Sequence, residues 1–272
     1  MKAINLDDVV LERGAHESPE RGFCAMELAA YIGREPHSDS PECVSPILGS
    51  FIRSFNDILC DTDRQKLKPF VLLIVGTADD GADDRRFWLC IDWLIRIYTP
   101  TWFDLAKLDR SANALRALPE ITNLEAIDSA RVAIKTATHT ALTARAAAGN
   151  TARDAARDAA WAAAGNAARD AARDAARSAA GSAAGDAARA AAGNAAWAAV
   201  WDAAWDAAWD AAWDAAWDAA GSAAWAAAWN AESNAAGNAR AALHPTVLTL
   251  QSSAFDLLNR LIKAGKEPHV RA

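Results

Sequence analysis

From Arg145 to about Asn238 the chain repeats a four-residue unit, (Arg/Trp/Gly)-(Asp/Asn/Ser/Ala)-Ala-Ala, almost without interruption. Its purest stretch runs from Trp201-Asp202-Ala203-Ala204 to Trp217-Asp218-Ala219-Ala220, five copies in a row. All seven glycines between Gly149 and Gly237 fall in the first slot, so they punctuate the register without shifting it. Half of each unit is Ala, the best helix former, and helix is the only sensible local assignment. A helix turns about 100° per residue, so a period of four advances about 40° per unit. The row Trp197, Trp201, Trp205, Trp209, Trp213, Trp217, Trp225 and Trp229 therefore winds roughly 320° around a straight helix. Such a row has no flat face, and a helix packed along it wraps in the right-handed sense.

Eight indoles need a partner surface, since each buries on the order of 150 to 250 Å². The repeat offers one itself. From Arg145 to Ala196 there are seven Arg against five Asp, a balance of +2, whereas Trp197 to Ala239 holds five Asp and Glu232 with no Lys or Arg, a balance of -6. Arg153, Arg157, Arg169 and Arg173 on one helix can stack on Trp and bridge to Asp on the other. Glycines are densest at Gly181, Gly185 and Gly193, where a hairpin would turn. A folded-back hairpin or right-handed superhelix is the preferred reading. One rod of about 140 Å covered by other chains, a stack of short helices, and a tolerated spacer expanded by copying slippage are the alternatives.

The flanks read as helix throughout. Ser18-Pro19-Glu20 predicts a helix start, with Phe23, Met26, Glu27, Ala30 and Tyr31 at helical spacing and Gly33 as its end. Three prolines between Glu35 and Pro46 predict a loop. Ile47 to Leu59 is amphipathic, and the run Phe70 to Val75 reads as helix rather than buried strand because no partner strand is visible. Arg85 to Tyr98 is apolar on nearly every side except Asp92 and Arg96, which are four apart and predict a structural ion pair. Thr99-Pro100 and Pro119-Glu120 each predict a further start, the latter leading through Ile121, Leu124, Ile127 and Ile134 into the repeat. His244-Pro245 predicts a break before a last amphipathic helix from Val247 to Ile262, packed back on the body and ended by Gly265. The expected fold is all-α: a helical domain over 1–118, a connecting helix over 119–144, the repeat over 145–240, and a C-terminal helix and tail over 244–272.

A net charge of -7 and a pI near 5.3 argue against nucleic acid, because phosphate neutralisation needs clustered Lys and Arg. The Trp run is no membrane span: each of Asp202, Asp206, Asp210, Asp214 and Asp218 would cost roughly 2.5 to 3.5 kcal/mol at the centre of a helix in lipid. The start lacks the apolar core of a secretory signal, so the four cysteines read as reduced thiols in a cytoplasm. Cys24, His37 and Cys43, with Glu27, Glu35 and Asp39 nearby, are the cluster most like metal ligands, although they lack a Cys-x2-Cys knuckle. No cofactor motif and no catalytic signature appear.

Cys24-Ala25-Met26-Glu27, Ala30-Tyr31, Gly33, Glu35-Pro36-His37-Ser38-Asp39, Cys43 and Ser45-Pro46, followed by Asp92-Trp93-Leu94-Ile95-Arg96, Tyr98-Thr99-Pro100 and Trp102, resemble the opening module of Ala-rich proteins encoded by actinobacteria and their phages. Those proteins carry AAWD-type repeats before a short C-terminal helix. The resemblance implies an architecture and a bacterial or phage origin, and transfers no activity. In composition alone, the Ala-Ala-Trp tracts also look like those of immunity proteins of toxin systems. The function expected is a non-enzymatic interaction or self-assembly protein binding a protein partner or itself. The alternative is an enzyme or metal protein with its site at the Cys24/His37/Cys43 loop.

Overall fold

The computed structural model describes residues 8–146 and 235–266. Among these the secondary structure is helical, with one isolated backbone bridge between Leu11 and Phe23 and no sheet. The partner-binding residues expected from the repeat, Arg153 to Trp229, lie outside the described residues. The described chain divides into two compact units: 8–87 with 258–266, and 88–146 with 235–257.

In the first unit a non-helical strap precedes α1 (Ala25–Gly33). The expected start at Ser18 is not the observed one. Ser18 to Arg21 forms a turn, Gly22 takes φ +134°, which a helix cannot continue, and Cys24 becomes the N-cap. Its Sγ accepts from the Glu27 amide while the Glu27 carboxylate accepts from the Cys24 amide, a reciprocal capping box. Every residue from Ala25 to Ala30 is buried.

Ser45 caps α2 (Pro46–Ile58), with Pro46 at its first position, and buries Ile47, Leu48, Phe51, Ile52 and Phe55 completely. A short α3 (Asp61–Arg64) and a single 3-10 turn (Gln65–Leu67) lead into α4 (Lys68–Ile74), so the apolar run after Pro69 is helix. Helices α2 and α4 both pack on α1.

α5 (Asp83–Trp93) crosses from the first unit into the second. It does not stop at Thr99-Pro100 as expected. The helix widens to a π turn over Leu94–Tyr98 and continues as α6 (Thr99–Leu105). Pro100 has no N–H, and its ring would clash with the carbonyl four residues back. Widening resolves this: the Thr99 amide donates to Leu94 O, five residues back, and the Thr99 hydroxyl donates to the same oxygen at 2.8 Å.

Lys107, at φ 60°, ends this helix, and α7 (Asp109–Arg116) follows. α8 (Leu124–Ala146) starts five residues after Pro119, because Asn123 caps it through a 2.9 Å bond from the Ala126 amide. α9 (Ala235–Ala264) passes through Pro245, where a break was expected. Interior proline costs about 3 kcal/mol, but Leu243 and Val247 are buried on either side of it, and burying such side chains contributes about 1.5 to 3 kcal/mol each.

Trp93, Tyr98, Trp102 and Phe103 form the centre of the second unit. Trp93 and Tyr98 lie 5.2 Å apart with their rings tilted at 43°, Tyr98 meets Trp102 edge-on at 6.2 Å, and Trp93 Nε1 donates to Ser253 Oγ at 3.1 Å. The buried stripe of α8 is Ile127, Ala130, Ile134, Ala137 and Ala141. That of α9 in this unit is Leu243, Val247, Leu250, Ala254 and Leu257. Both alternate steps of three and four, a heptad spacing distinct from the strict period of four between them.

Candidate functional site

A group of titratable side chains surrounds Glu27, whose side chain is 1 % exposed at the N-terminus of α1. One carboxylate oxygen accepts from the Cys24 amide at 2.7 Å and from His16 Nδ1 at 2.7 Å. The other accepts from the His16 amide and lies 3.5 Å from His37 Nε2. Burial by itself raises the Glu27 pKa, yet the His16 and Cys24 amides and the His16 imidazole outweigh it and hold the carboxyl below the ordinary glutamate value.

His37 Nε2 donates to His16 O at 3.1 Å, since a carbonyl only accepts; Nδ1 is buried without a hydrogen-bond partner, and Phe23 sits edge-on 5.8 Å from the ring. His16 Nε2 approaches Glu12 at 3.4 Å. Gly22 closes over this edge, and a Cβ there would meet the imidazole at 3.1 Å. The strap, α1 and the loop after α1 are thus joined at a single carboxylate.

The residues expected from sequence to bind metal have separate tasks. Cys24 is the N-cap of α1, and burial pushes its thiol up to about 12, so at neutral pH it is no thiolate nucleophile. His37 belongs to the Glu27 group. Cys43 packs its Sγ against Gly33, where a Cβ would lie 2.6 Å away, and its carbonyl accepts from the Gly76 and Ala78 amides at 2.8 and 3.3 Å. Burial, then the nearby Glu35, raise the Cys43 thiol. Among the described residues no group of three or more His, Cys, Asp or Glu side chains is disposed to hold a metal ion.

His16 and Glu12 carry no signal that singles them out in the sequence. They sit in a strap without periodicity, and only its fold onto α1 brings His16 to Glu27.

Asp92 and Arg96 meet, Arg96 Nη1 lying 2.9 Å from Asp92 Oδ1. The same oxygen accepts from the Ile121 amide at 2.9 Å, which fixes the segment that enters α8. A further buried charge is Arg86, 0 % exposed, whose partners Asp80 and Leu261 stand at no helical spacing from it. It forks onto Asp80, pairs with Asp83 at 2.9 Å, and donates through Nε to Leu261 O at 3.0 Å. Asp83 also accepts from the Ser45 hydroxyl. Gly265 passes this group so closely that a Cβ would stand 2.0 Å from Asp80 Oδ2.

No helix among the described residues is long and apolar enough to cross a membrane. Fold and site together define an all-α, multi-helix protein in whose sequence a long Ala-rich repeat follows α8 and precedes α9. No family model, no curated protein and no solved structure matches the chain.

Proposed function

We propose that this chain is a non-enzymatic interaction or self-assembly protein whose Trp/Arg/Asp-decorated repeat binds a protein partner or a second copy, in a phage or in bacterial defence. The observation that supports this reading most is the placement of the repeat's flanks. α8 leads into it and α9 leads out of it, and the described parts of both within 88–257 belong to the same compact unit. The unit thereby holds both ends of a segment rich in indole, net basic in its first half and acidic in its second. Burial of that Trp row is the free-energy source for association.

Light scattering together with iodide quenching of tryptophan fluorescence in the full chain tests the reading. The expected result is a repeat whose indoles are protected, either in an oligomer or on addition of a partner recovered by crosslinking. Indoles that are fully quenched in a monomer, with no protein crosslinked to them in the producing cell, would refute it.

A second reading rests on the Glu27 group. Two imidazoles on one buried carboxylate, with His37 Nδ1 lacking a partner, favour a ligand or enzyme site in the first unit. Elemental analysis and the His37→Ala variant test it: bound metal, or a phenotype that His37→Ala removes while the fold persists, would move the function to this site.

A further inference from the structure

The strap before α1 is fastened unevenly. At its neck Leu11 and Phe23 form the backbone bridge, and the Glu12 amide donates to Phe23 O at 2.8 Å. The Gln65 amide group clamps the Leu11 backbone with two 2.9 Å bonds, and Asn56 Nδ2 donates to Glu12 O at 2.8 Å. Val9, Leu11 and Phe23 are buried there. Beyond the neck, none of the residues from Arg13 to Gly22 is buried. The chain leaves and re-enters the body at one point, which makes this segment a compact surface loop of the Ω type. With so little buried, it can part from the body at the expense of its polar contacts alone.

Those contacts centre on His16. The Gly14 amide donates to Asp57 Oδ1 on α2 at 2.9 Å. His16 sets two donors on Glu27, its backbone amide on one carboxylate oxygen and ring Nδ1 on the other. Its carbonyl accepts from His37 Nε2 at 3.1 Å. His16 thus stands where a ligand would: it fills both oxygens of a carboxylate that is 1 % exposed, and it occupies the Nε2–H of an imidazole whose Nδ1 is buried. α1 does not depend on it, because the 2.7 Å bond from the Cys24 amide to Glu27 belongs to the helix's own cap.

We propose that residues 13–22 are a flap, latched by His16, that swings on the fixed neck to admit a ligand to Glu27 and His37. The flap rests on the second reading of the Glu27 group and deepens it. It supplies a route to a carboxylate and an imidazole that lie 3.5 Å apart and are closed off while His16 is seated. What enters is a hydrogen-bond donor, since an ionised carboxylate only accepts.

Diethyl pyrocarbonate, which acylates an unprotonated imidazole nitrogen, probes this access in the full chain. Peptide mass spectrometry reads His37, with exposed His139 and His244 as internal standards. His37 is expected to label slowly in wild type and about ten- to a hundredfold faster in His16→Ala, the range set by losing one hydrogen bond to a charged group. His16→Asn keeps an N–H at the position of Nδ1 and is expected to restore most of the protection. Amide hydrogen exchange on the same proteins separates an opened flap from a merely uncovered ring. The Gly14 amide, bonded to α2 and not to Glu27, should accelerate in His16→Ala, while the Glu12 amide at the neck and the Leu28 amide in α1 should not.

His37 that labels equally fast in wild type and His16→Ala, or a Gly14 amide that exchanges no faster in that variant, overturns the flap. So does exchange of Gly14 and Leu28 together, at the rate of global unfolding. Failure of the site itself reads differently. A flap that opens as expected, with no bound metal and no phenotype of His37→Ala, refutes admission of a ligand through it, whereas a flap that stays shut leaves those two measurements unchanged.

Discussion

Replacing Arg86 by methionine keeps much of the side-chain volume and removes four hydrogen bonds: the fork onto Asp80, one bond to Asp83 and one to Leu261 O. Removing one partner of a buried ion pair costs about 3 to 5 kcal/mol, because the remaining charge stays desolvated. Here Asp80 and Asp83 are 18 % and 34 % exposed and can take up water once freed. Leu261 O loses the guanidinium Nε–H that approaches it. The expected cost is therefore about 2 to 4 kcal/mol. Urea unfolding followed by circular dichroism measures the total. A chain of two compact units need not unfold in one step, so amide hydrogen exchange over Leu258 to Ala264 measures the effect where Arg86 holds α9. Neutralising the stranded acids with Asp80→Asn and Asp83→Asn in the Arg86→Met background should restore part of the loss. Arg86→Met at under about 0.5 kcal/mol, or a triple variant less stable than the single one, would refute the assignment of Arg86 as the group that holds Leu258 to Ala264 within the first unit.

Four further outcomes follow from the geometry. Gly33→Ala should cost about 1 to 3 kcal/mol in thermal or urea unfolding, because its Cβ would stand 2.6 Å from Cys43 Sγ, and Cys43→Ala should relieve most of that cost. Asp92→Asn keeps the shape but weakens the bonds from Arg96 and the Ile121 amide, and should cost about 1.5 to 3 kcal/mol with faster exchange of the Ile121 amide. The Glu27 pKa is depressed in the folded protein, so its contribution is complete above the unfolded value of about 4.3 and is lost as pH falls through the lower folded value; Glu27→Gln should flatten that acid limb of the stability curve. In alkylation followed by mass spectrometry at neutral pH, exposed Cys60 should label first and Cys24, buried with its thiol raised to about 12, only on unfolding; equal rates would contradict the burial of Cys24.

Helix content was legible in the sequence because it follows from local propensity and from apolar spacing, both properties of neighbours along the chain. The run Phe70 to Val75 and the stripe Ile47, Leu48, Phe51, Ile52 and Phe55 are examples, and so is the approach of Arg96 to Asp92, four residues apart on one helix face. Helix boundaries were less legible. Ser18-Pro19, Pro100, Pro119 and Pro245 all carry the local signature of a start or a break, and at each the chain does something else. At Pro100 a π turn absorbs the missing N–H, and at Pro245 buried Leu243 and Val247 flank the proline. At the other two, the caps Cys24 and Asn123 set the true start several residues later.

The sequence by itself determined that the described residues are helical, that the repeat keeps a strict period of four, and that its Trp-bearing half is acidic while its Arg-bearing half is basic. These are consequences of composition and period. Only the tertiary structure decided which charges work together. His16 reaches Glu27 across eleven residues of non-helical strap, and Arg86 reaches Leu261 across 175 residues. Cys24, His37 and Cys43, which look like one cluster in sequence, serve a helix cap, a carboxylate pair and a glycine contact. Nothing in local spacing encodes such meetings: they depend on where the buried faces of distant helices come to rest, and a buried charge takes whichever partner that packing brings within hydrogen-bond reach.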